Sequence, residues 1–188
     1  ITISREYGSG GRYIGRLIAD KLGIKLYDKD LIEKLAEQTG LSPEYIGENE
    51  QKRSRLDSLN DGYYSGLNNA DKLFIDESNL IKEVANKESC VIIGRCADFI
   101  LKDNKNVLKI FIYSDMKDKI ERATKFYKLS NKEAEKEIKR INKLRENHYK
   151  YYTGNEWKNP ENYDLCINSD VLGVERTADL ICSMIEIK

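Results

Sequence analysis

A single α/β domain built on a parallel sheet is the fold class this sequence predicts, on three observations. Short β-branched runs recur along the chain, amphipathic helical patterns fill the intervals, and a glycine-rich turn joins the first run to the first helix. Strands that alternate with helices pair in parallel through right-handed crossovers, which covers the sheet on both faces. The 188 residues are enough for one well-buried core with an insertion or two, since domains typically run to roughly 100–200 residues.

The candidate strands are Ile1-Thr2-Ile3-Ser4, a weaker run from Ile24 to Tyr27, Cys90 to Ile93, Leu108 to Tyr113, and Leu165-Cys166-Ile167. Helical patterns span Tyr13 to Leu22, Lys29 to Thr39, Asp71 to Lys87, Ser114 to Tyr127, Asn131 to about Tyr152, and Val174 to Ile185. Two helix starts are signposted. Ser42-Pro43 sets a cap before a proline at the first helical position, and Ser130 followed by Asn131-Lys132-Glu133 has capping-box spacing. Gln51 to Asn69 is rich in Ser, Asn, Gly and Asp, holds Tyr63-Tyr64 and shows neither period, so it reads as a loop or insertion. From Asn131 to Tyr152 the chain is very polar, with apolar residues at Ala134, Ile138, Ile141, Leu144 and Tyr149. That pattern suits a long helix projecting from the core.

Thirty-two basic and thirty-two acidic residues cancel to zero net charge. No whole-molecule field gathers polyanions, so nucleic acid is not expected as the main partner. The longest apolar runs fall far short of the roughly 20 residues a membrane span needs, and the first residues already read as a strand rather than a leader. No membrane partner is expected. Cys90, Cys96, Cys166 and Cys182 lie far apart in or beside apolar segments without a C-x-x-C pair. Buried reduced thiols in a cytoplasmic protein fit them better than disulfides or a zinc site.

The chemistry concentrates at the carboxyl ends of the candidate strands, where α/β proteins bind ligands. The first strand runs into Arg5-Glu6-Tyr7-Gly8-Ser9-Gly10-Gly11-Arg12 and then into a helix that starts with Tyr13. Glycines let backbone N–H groups converge on an anion, and the helix N-terminus adds partial positive charge. A tight turn that binds nothing is the alternative, and the position after the first strand favours phosphate. The standard G-x-x-x-x-G-K-[ST] spacing is not met. In one frame Gly11 stands for the lysine; in the next Arg12 stands for it and Tyr13 for the hydroxyl residue, and this second frame keeps a cation at the phosphates. No metal ligand is assigned.

Asp28 ends the second strand, where it orders an acceptor or caps the helix that follows. Gly94 and Arg95 end the third, bringing a guanidinium suited to bidentate phosphate contacts to the same edge. Arg140, Lys143 and Arg145 lie on the long polar helix. They read evenly as a lid over phosphates and as a solvated face paired with Glu135, Glu137 and Glu146. His148, with no evident acid partner, reads as a polar contact rather than a general base.

These residues together resemble the cytidylate-kinase-like family within the P-loop nucleoside monophosphate kinases. The resemblance covers nearly the whole chain and rests on Ile3 to Arg12, Tyr27-Asp28-Lys29, Val91-Ile92-Ile93-Gly94-Arg95-Cys96-Ala97-Asp98, Tyr149 to Gly154 with Trp157, and Asn162 to Asn168. It implies a three-layer P-loop NTPase fold with a five-stranded parallel sheet, a helical monophosphate-binding insertion over about residues 29–86 and a short lid over about residues 128–160. It implies ATP and Mg²⁺ as cofactors and nucleotides as the substrates. Carried over by position, Gly8, Ser9, Gly10, Gly11, Arg12 and Tyr13 hold the ATP phosphates. Asp28, Arg95, Asp98 and Arg122 bind the acceptor side, and Arg140, Lys143 and Arg145 join Arg12 as catalytic cations.

The expected activity is phosphoryl transfer from ATP to a nucleoside monophosphate, CMP or a related pyrimidine nucleotide. Two alternatives stand beside it: a nucleotide-binding regulator that has lost transfer, from the missing Walker lysine and hydroxyl residue, and a small-molecule kinase with a non-nucleotide acceptor, from the unpatterned loop Gln51 to Asn69.

Overall fold

The computed structural model of the chain describes residues 1–43 and 69–186. The body of the loop read over 51–69, with Tyr63-Tyr64, and of the helix signposted by Ser42-Pro43 lies outside them.

Five strands form one parallel sheet: β1 (Thr2–Arg5), β2 (Lys25–Tyr27), β3 (Cys90–Ile93), β4 (Lys109–Tyr113) and β5 (Leu165–Asn168), in the order β2-β3-β1-β4-β5. β1 is central, with Ile3 in register with Ile93 on one side and Ile110 on the other. A parallel strand buried on both faces has no solvated side to alternate with, which is why Thr2, Ile3 and Ser4 are all buried. The helices are α1 (Gly11–Leu22), α2 (Lys29–Thr39), α3 (Asn69–Lys87), α4 (Ala97–Ile100), α5 (Met116–Tyr127), α6 (Asn131–Thr153) and α7 (Ser169–Glu186), with a 3₁₀ turn at Pro160–Asn162. The periodic segments thus became the expected elements.

Two apolar layers hold the sheet. On one face Ile14 and Ile18 of α1 and Ile181 of α7 pack on Ile3, Ile110 and Ile112. On the other, Leu31 and Leu35 of α2 and Leu80, Ile81 and Val84 of α3 pack on Ile92 and Tyr27. Each fully buried aliphatic side chain contributes about 1.5–3 kcal/mol, so these layers give the strand ends a rigid frame.

Two local readings change. The long polar helix does not project: α6 buries Ala134, Ile138, Asn142 and Tyr149 and packs along α5. Its charges occupy the outer face, and residues spaced by three and four turn inward. The capping box at Ser130 is present, with Glu133 reaching back to the Ser130 amide at 2.9 Å. The last helix begins where its period does, at Val174: non-helical Gly173 (φ 76°, ψ 168°) separates it from a short leading turn at Ser169. The short α4 has no periodic signal at all, being a single turn after β3.

Candidate active site

The turn between β1 and α1 is closed by its own side chains. Gly8 and Gly10 take φ of 83° and 78°, conformations that cost a side-chain-bearing residue about 1–2 kcal/mol, and Gly10 caps α1 with no side-chain hydrogen bond. The first α1 amides are therefore left to a ligand or water. The Ser9 hydroxyl donates to the Glu6 carbonyl at 2.9 Å and is fully buried, while Ser169 donates to the Ser9 carbonyl at 2.7 Å. Ser9 shapes the turn.

α6 is bolted to this turn. Asn142 Oδ1 accepts from the Tyr7 amide at 2.7 Å, and Arg145 donates to the Arg5 carbonyl at 2.8 Å. Between α6, the turn and the end of β3 lies a cavity of about 340 Å³. Arg140, Ile141, Leu144, Arg145, His148 and Tyr149 make its α6 wall, a spacing of one helical face. Arg5 and Tyr7 come from the turn, Gly94, Arg95 and Cys96 from the β3 end, Glu77 from α3, and Trp157 from the segment after α6. Four arginines and one carboxylate, Glu77, line the cavity, and Arg140 carries its guanidinium on Glu137, at 2.7 and 2.6 Å.

The β3 end is bent by three consecutive residues with positive φ: Gly94 (72°), Arg95 (60°) and Cys96 (54°). Left-handed conformations at non-glycine residues are costly and cluster at ligand sites. Here the bend turns Arg95 into the cavity, where it pairs with the buried Glu77 of α3. Beneath the bend, Asp98 is buried and both its oxygens are taken, by Ser4 Oγ at 3.0 Å and Tyr149 Oη at 2.6 Å. It ties together β1, α4 and α6 below the cavity floor and does not line the cavity, contrary to its expected place in the acceptor site. Burial pushes its carboxyl up, against the hydroxyls that favour the charged form.

A raised folded pKa means that the protonated form is the one the fold prefers. The stability Asp98 contributes is full below its unfolded pKa and is lost as pH rises through the folded value. Asp98→Asn is therefore expected to gain stability relative to the wild type as pH rises from 3 to 7, and Tyr149→Phe to move the step to higher pH, costing about 1 kcal/mol near neutrality. Urea unfolding across that range checks both; a pH-independent difference between wild type and Asp98→Asn contradicts the assignment.

The other expected residues divide. Arg95, Arg140 and Arg145 come together around the cavity. Lys143 does not: it points outward, 68% exposed, toward Glu146 at 3.3 Å, because it falls off the helical face that carries the other two. Arg12 does not line the cavity; it is half-exposed, with its guanidinium on Asp28, and Tyr13 is 51% exposed. Asp28 precedes α2 without capping it. Its partner is Arg12. Arg122 of α5 donates to the Gly8 carbonyl at 3.3 Å, Ser114 Oγ at 2.8 Å and Asp170 Oδ1 at 2.6 Å, on the other side of the turn from the cavity. His148 sits edge-on to Phe74 and near Tyr152. Sequence reading missed Arg5, Tyr7 and Glu77. Arg5 was inside the quoted motif, and the α6 wall was readable as i, i+1, i+4, i+5 spacing from Arg140.

The four cysteines are free thiols, three of them buried. No helix among the described residues is long and apolar enough to cross a membrane.

The model of the cytidylate kinase-like family matches residues 1–171. A cytidylate kinase of Archaeoglobus fulgidus is 26% identical, over 100% of this chain and 95% of that protein. Among solved structures, an uncharacterized protein from Eubacterium ventriosum superposes with a TM-score of 0.76 at 28% identity, covering 100% of this chain and 98% of that one. Shikimate kinase from Acinetobacter baumannii in complex with shikimate has a TM-score of 0.55 at 16% identity, covering 98% of this chain and 90% of its own. The last likeness speaks to the three-layer α/β fold alone.

Proposed function

The chain belongs to the cytidylate kinase-like family, and from that premise we propose that it transfers a phosphoryl group from ATP to CMP or a closely related pyrimidine nucleoside monophosphate. The observation that carries this is the cavity itself, in which Arg5, Arg95 and Arg145 share one lining carboxylate, Glu77, while Arg140 joins the wall paired with Glu137, beside a glycine turn whose helix has no side-chain cap. Cations held that close repel one another unless a polyanion joins them, and phosphoryl transfer demands positive groups around the moving charge. The A. fulgidus relative supplies the pyrimidine choice.

In this reading the amides of the Gly8–Gly11 turn take the donor phosphates, and Arg95 and Arg145 fork the acceptor phosphate from β3 and α6. Arg140 closes the outer wall. Ile141, Leu144 and Trp157 offer the base an apolar surface and exclude water. Because transfer is in line and needs no protein nucleophile, the residues act by positioning and by charge. For Mg²⁺, α1 opens Gly11-Arg12-Tyr13 and supplies no serine or threonine hydroxyl there. The ion would be held by the phosphates and its own water, as Mg²⁺ commonly is, supplying charge neutralisation.

ADP release measured over a panel of nucleoside monophosphates with ATP and Mg²⁺ tests the proposal. CMP is expected to show the highest kcat/KM, and Arg95→Ala to lower it about 100-fold, the scale of losing one transition-state donor. ATP raising the melting temperature with no ADP released for any acceptor would instead select a nucleotide-binding protein without transfer.

A further inference from the structure

We propose that Arg5 is the working cation of the phosphate site, in the role the standard motif gives to the lysine after its last glycine, and that Gly11 is glycine because the Arg5 side chain crosses it. The inference deepens the phosphoryl-transfer reading and rests on it. Gly10 caps α1, so Gly11 is the first helical residue, and no side chain reaches the phosphates from there. A Cβ on Gly11 would lie 2.6 Å from Arg5 Cβ and 3.1 Å from Arg5 Cγ, so a lysine and Arg5 cannot share the space. At the far end, a Cβ on Gly94 would land on Arg5 Nη1. The side chain therefore runs from the glycine turn to the bent end of β3, where its guanidinium lies against Gly94. That places it between the donor cradle and the arginines of the acceptor side.

The neighbouring arginines have other tasks. Arg12 pairs with Asp28, Arg95 with Glu77, Arg122 with Asp170 and Arg140 with Glu137. Among the described residues no acceptor takes a hydrogen bond from the Arg5 guanidinium, which lines the cavity. Desolvation, then the charges of Arg145, Arg95 and Arg12 with Asp28 opposing, push its pKa well below the usual value. A cation held in such company without a carboxylate partner is poised for an anion, and the planar fork of arginine suits two oxygens of one phosphate or one oxygen on each of two.

The test compares wild type, Arg5→Met, Arg5→Lys and the exchange Arg5→Gly with Gly11→Lys. Each is measured for tripolyphosphate affinity by titration calorimetry, for ADP release with ATP and CMP, and for ligand-free melting temperature. Arg5→Met is expected to melt higher than wild type without ligand, because the like-charge crowding is gone, yet to lower kcat/KM about 100-fold and to weaken tripolyphosphate binding at least 10-fold. Arg5→Lys should fall between, and the exchange should recover part of the loss. Arg5→Met binding tripolyphosphate as wild type does overturns the proposal. If Arg5→Met melts lower instead, Arg5→Lys decides by the same affinity comparison. A wild type that binds tripolyphosphate but phosphorylates no nucleotide sinks the transfer reading and leaves Arg5 judged by affinity; one that binds neither tripolyphosphate nor ATP sinks both.

Discussion

Gly94→Ala is expected to lower kcat/KM about 1000-fold while the protein still folds. Two costs combine. The backbone at Gly94 has φ of 72°, which an alanine adopts at a cost of about 1–2 kcal/mol, and the new Cβ would occupy the position of Arg5 Nη1. The backbone term lowers stability modestly, because Gly94 stands at a strand end rather than in the packed layers. The steric term acts on function. Arg5 has to swing out of the gap between the turn and β3, and Arg95, next in the same left-handed run, is displaced from Glu77 as the bend relaxes. Loss of two positioned cations from a desolvated site costs more than either alone, each being worth about 100-fold. Circular dichroism melting with ADP-release kinetics checks this; turnover within tenfold of wild type at unchanged stability would show that the close packing of Arg5 on Gly94 is not needed.

Lys119→Met is expected to cost about 3 kcal/mol of stability, a fall in melting temperature of about 6–12 °C for a chain of this size. Glu6 sits inside the glycine turn and is buried, and Lys119 of α5, equally buried, donates to it at 2.6 Å. Lys158 donates to the other oxygen at 2.8 Å from a half-exposed position. Burial pushes the Glu6 carboxyl up, and the hydrogen bonds and charges of Lys119 and Lys158 more than reverse it, holding it below the ordinary carboxylate range. Removing one partner of a buried pair leaves a charge in a poor solvent, which is costlier than replacing both. The remaining Lys158 keeps the loss at the lower end of the usual range. Glu6→Gln with Lys119→Met is therefore expected to recover much of it. The sign with pH follows: a depressed carboxyl stabilises above its unfolded pKa and stops doing so as pH falls through the folded one. The wild type should lose this contribution in acid and the double variant should not. A Lys119→Met protein as stable as wild type at neutral pH would mean that Lys158 alone satisfies Glu6.

Much of this protein is legible in its sequence. Short β-branched runs located the strands, and periods of three to four located the longer helices of the described residues, because burial on a sheet or a helix stripe is written in local composition and spacing. Turn chemistry marked the tight turn between β1 and α1, since its positive φ values at Gly8 and Gly10 need glycine whatever the rest of the fold does. The Ser130 cap was readable for the same reason. Residue type alone named Arg95, Arg140 and Arg145.

Tertiary structure decided which cations face one another. Arg5 was passed over because an arginine at a strand end carries no local sign of its direction; the close approach to Gly11 and Gly94, far apart in the chain, aims it into the cavity. Arg12 was preferred as the cation nearest the helix start, and Asp28 holds it outside the cavity. Lys143 shared composition with its neighbours and not their helical face, and the docking of α6 on the turn through Asn142 and Arg145 turned it outward. Asp98 had the look of a ligand-binding carboxylate, until Ser4 and Tyr149 converged on it from distant parts of the chain. Sequence by itself determined the elements, their parallel pairing and the glycine turn after the first strand, all of which depend on neighbours a few residues away. The identity of the cation at that turn, and the division of charged residues between cavity, floor and solvent, depend on contacts across about a hundred residues or more. Such contacts leave no periodic trace in the chain, because the packing of α6 and β3 against β1 creates them.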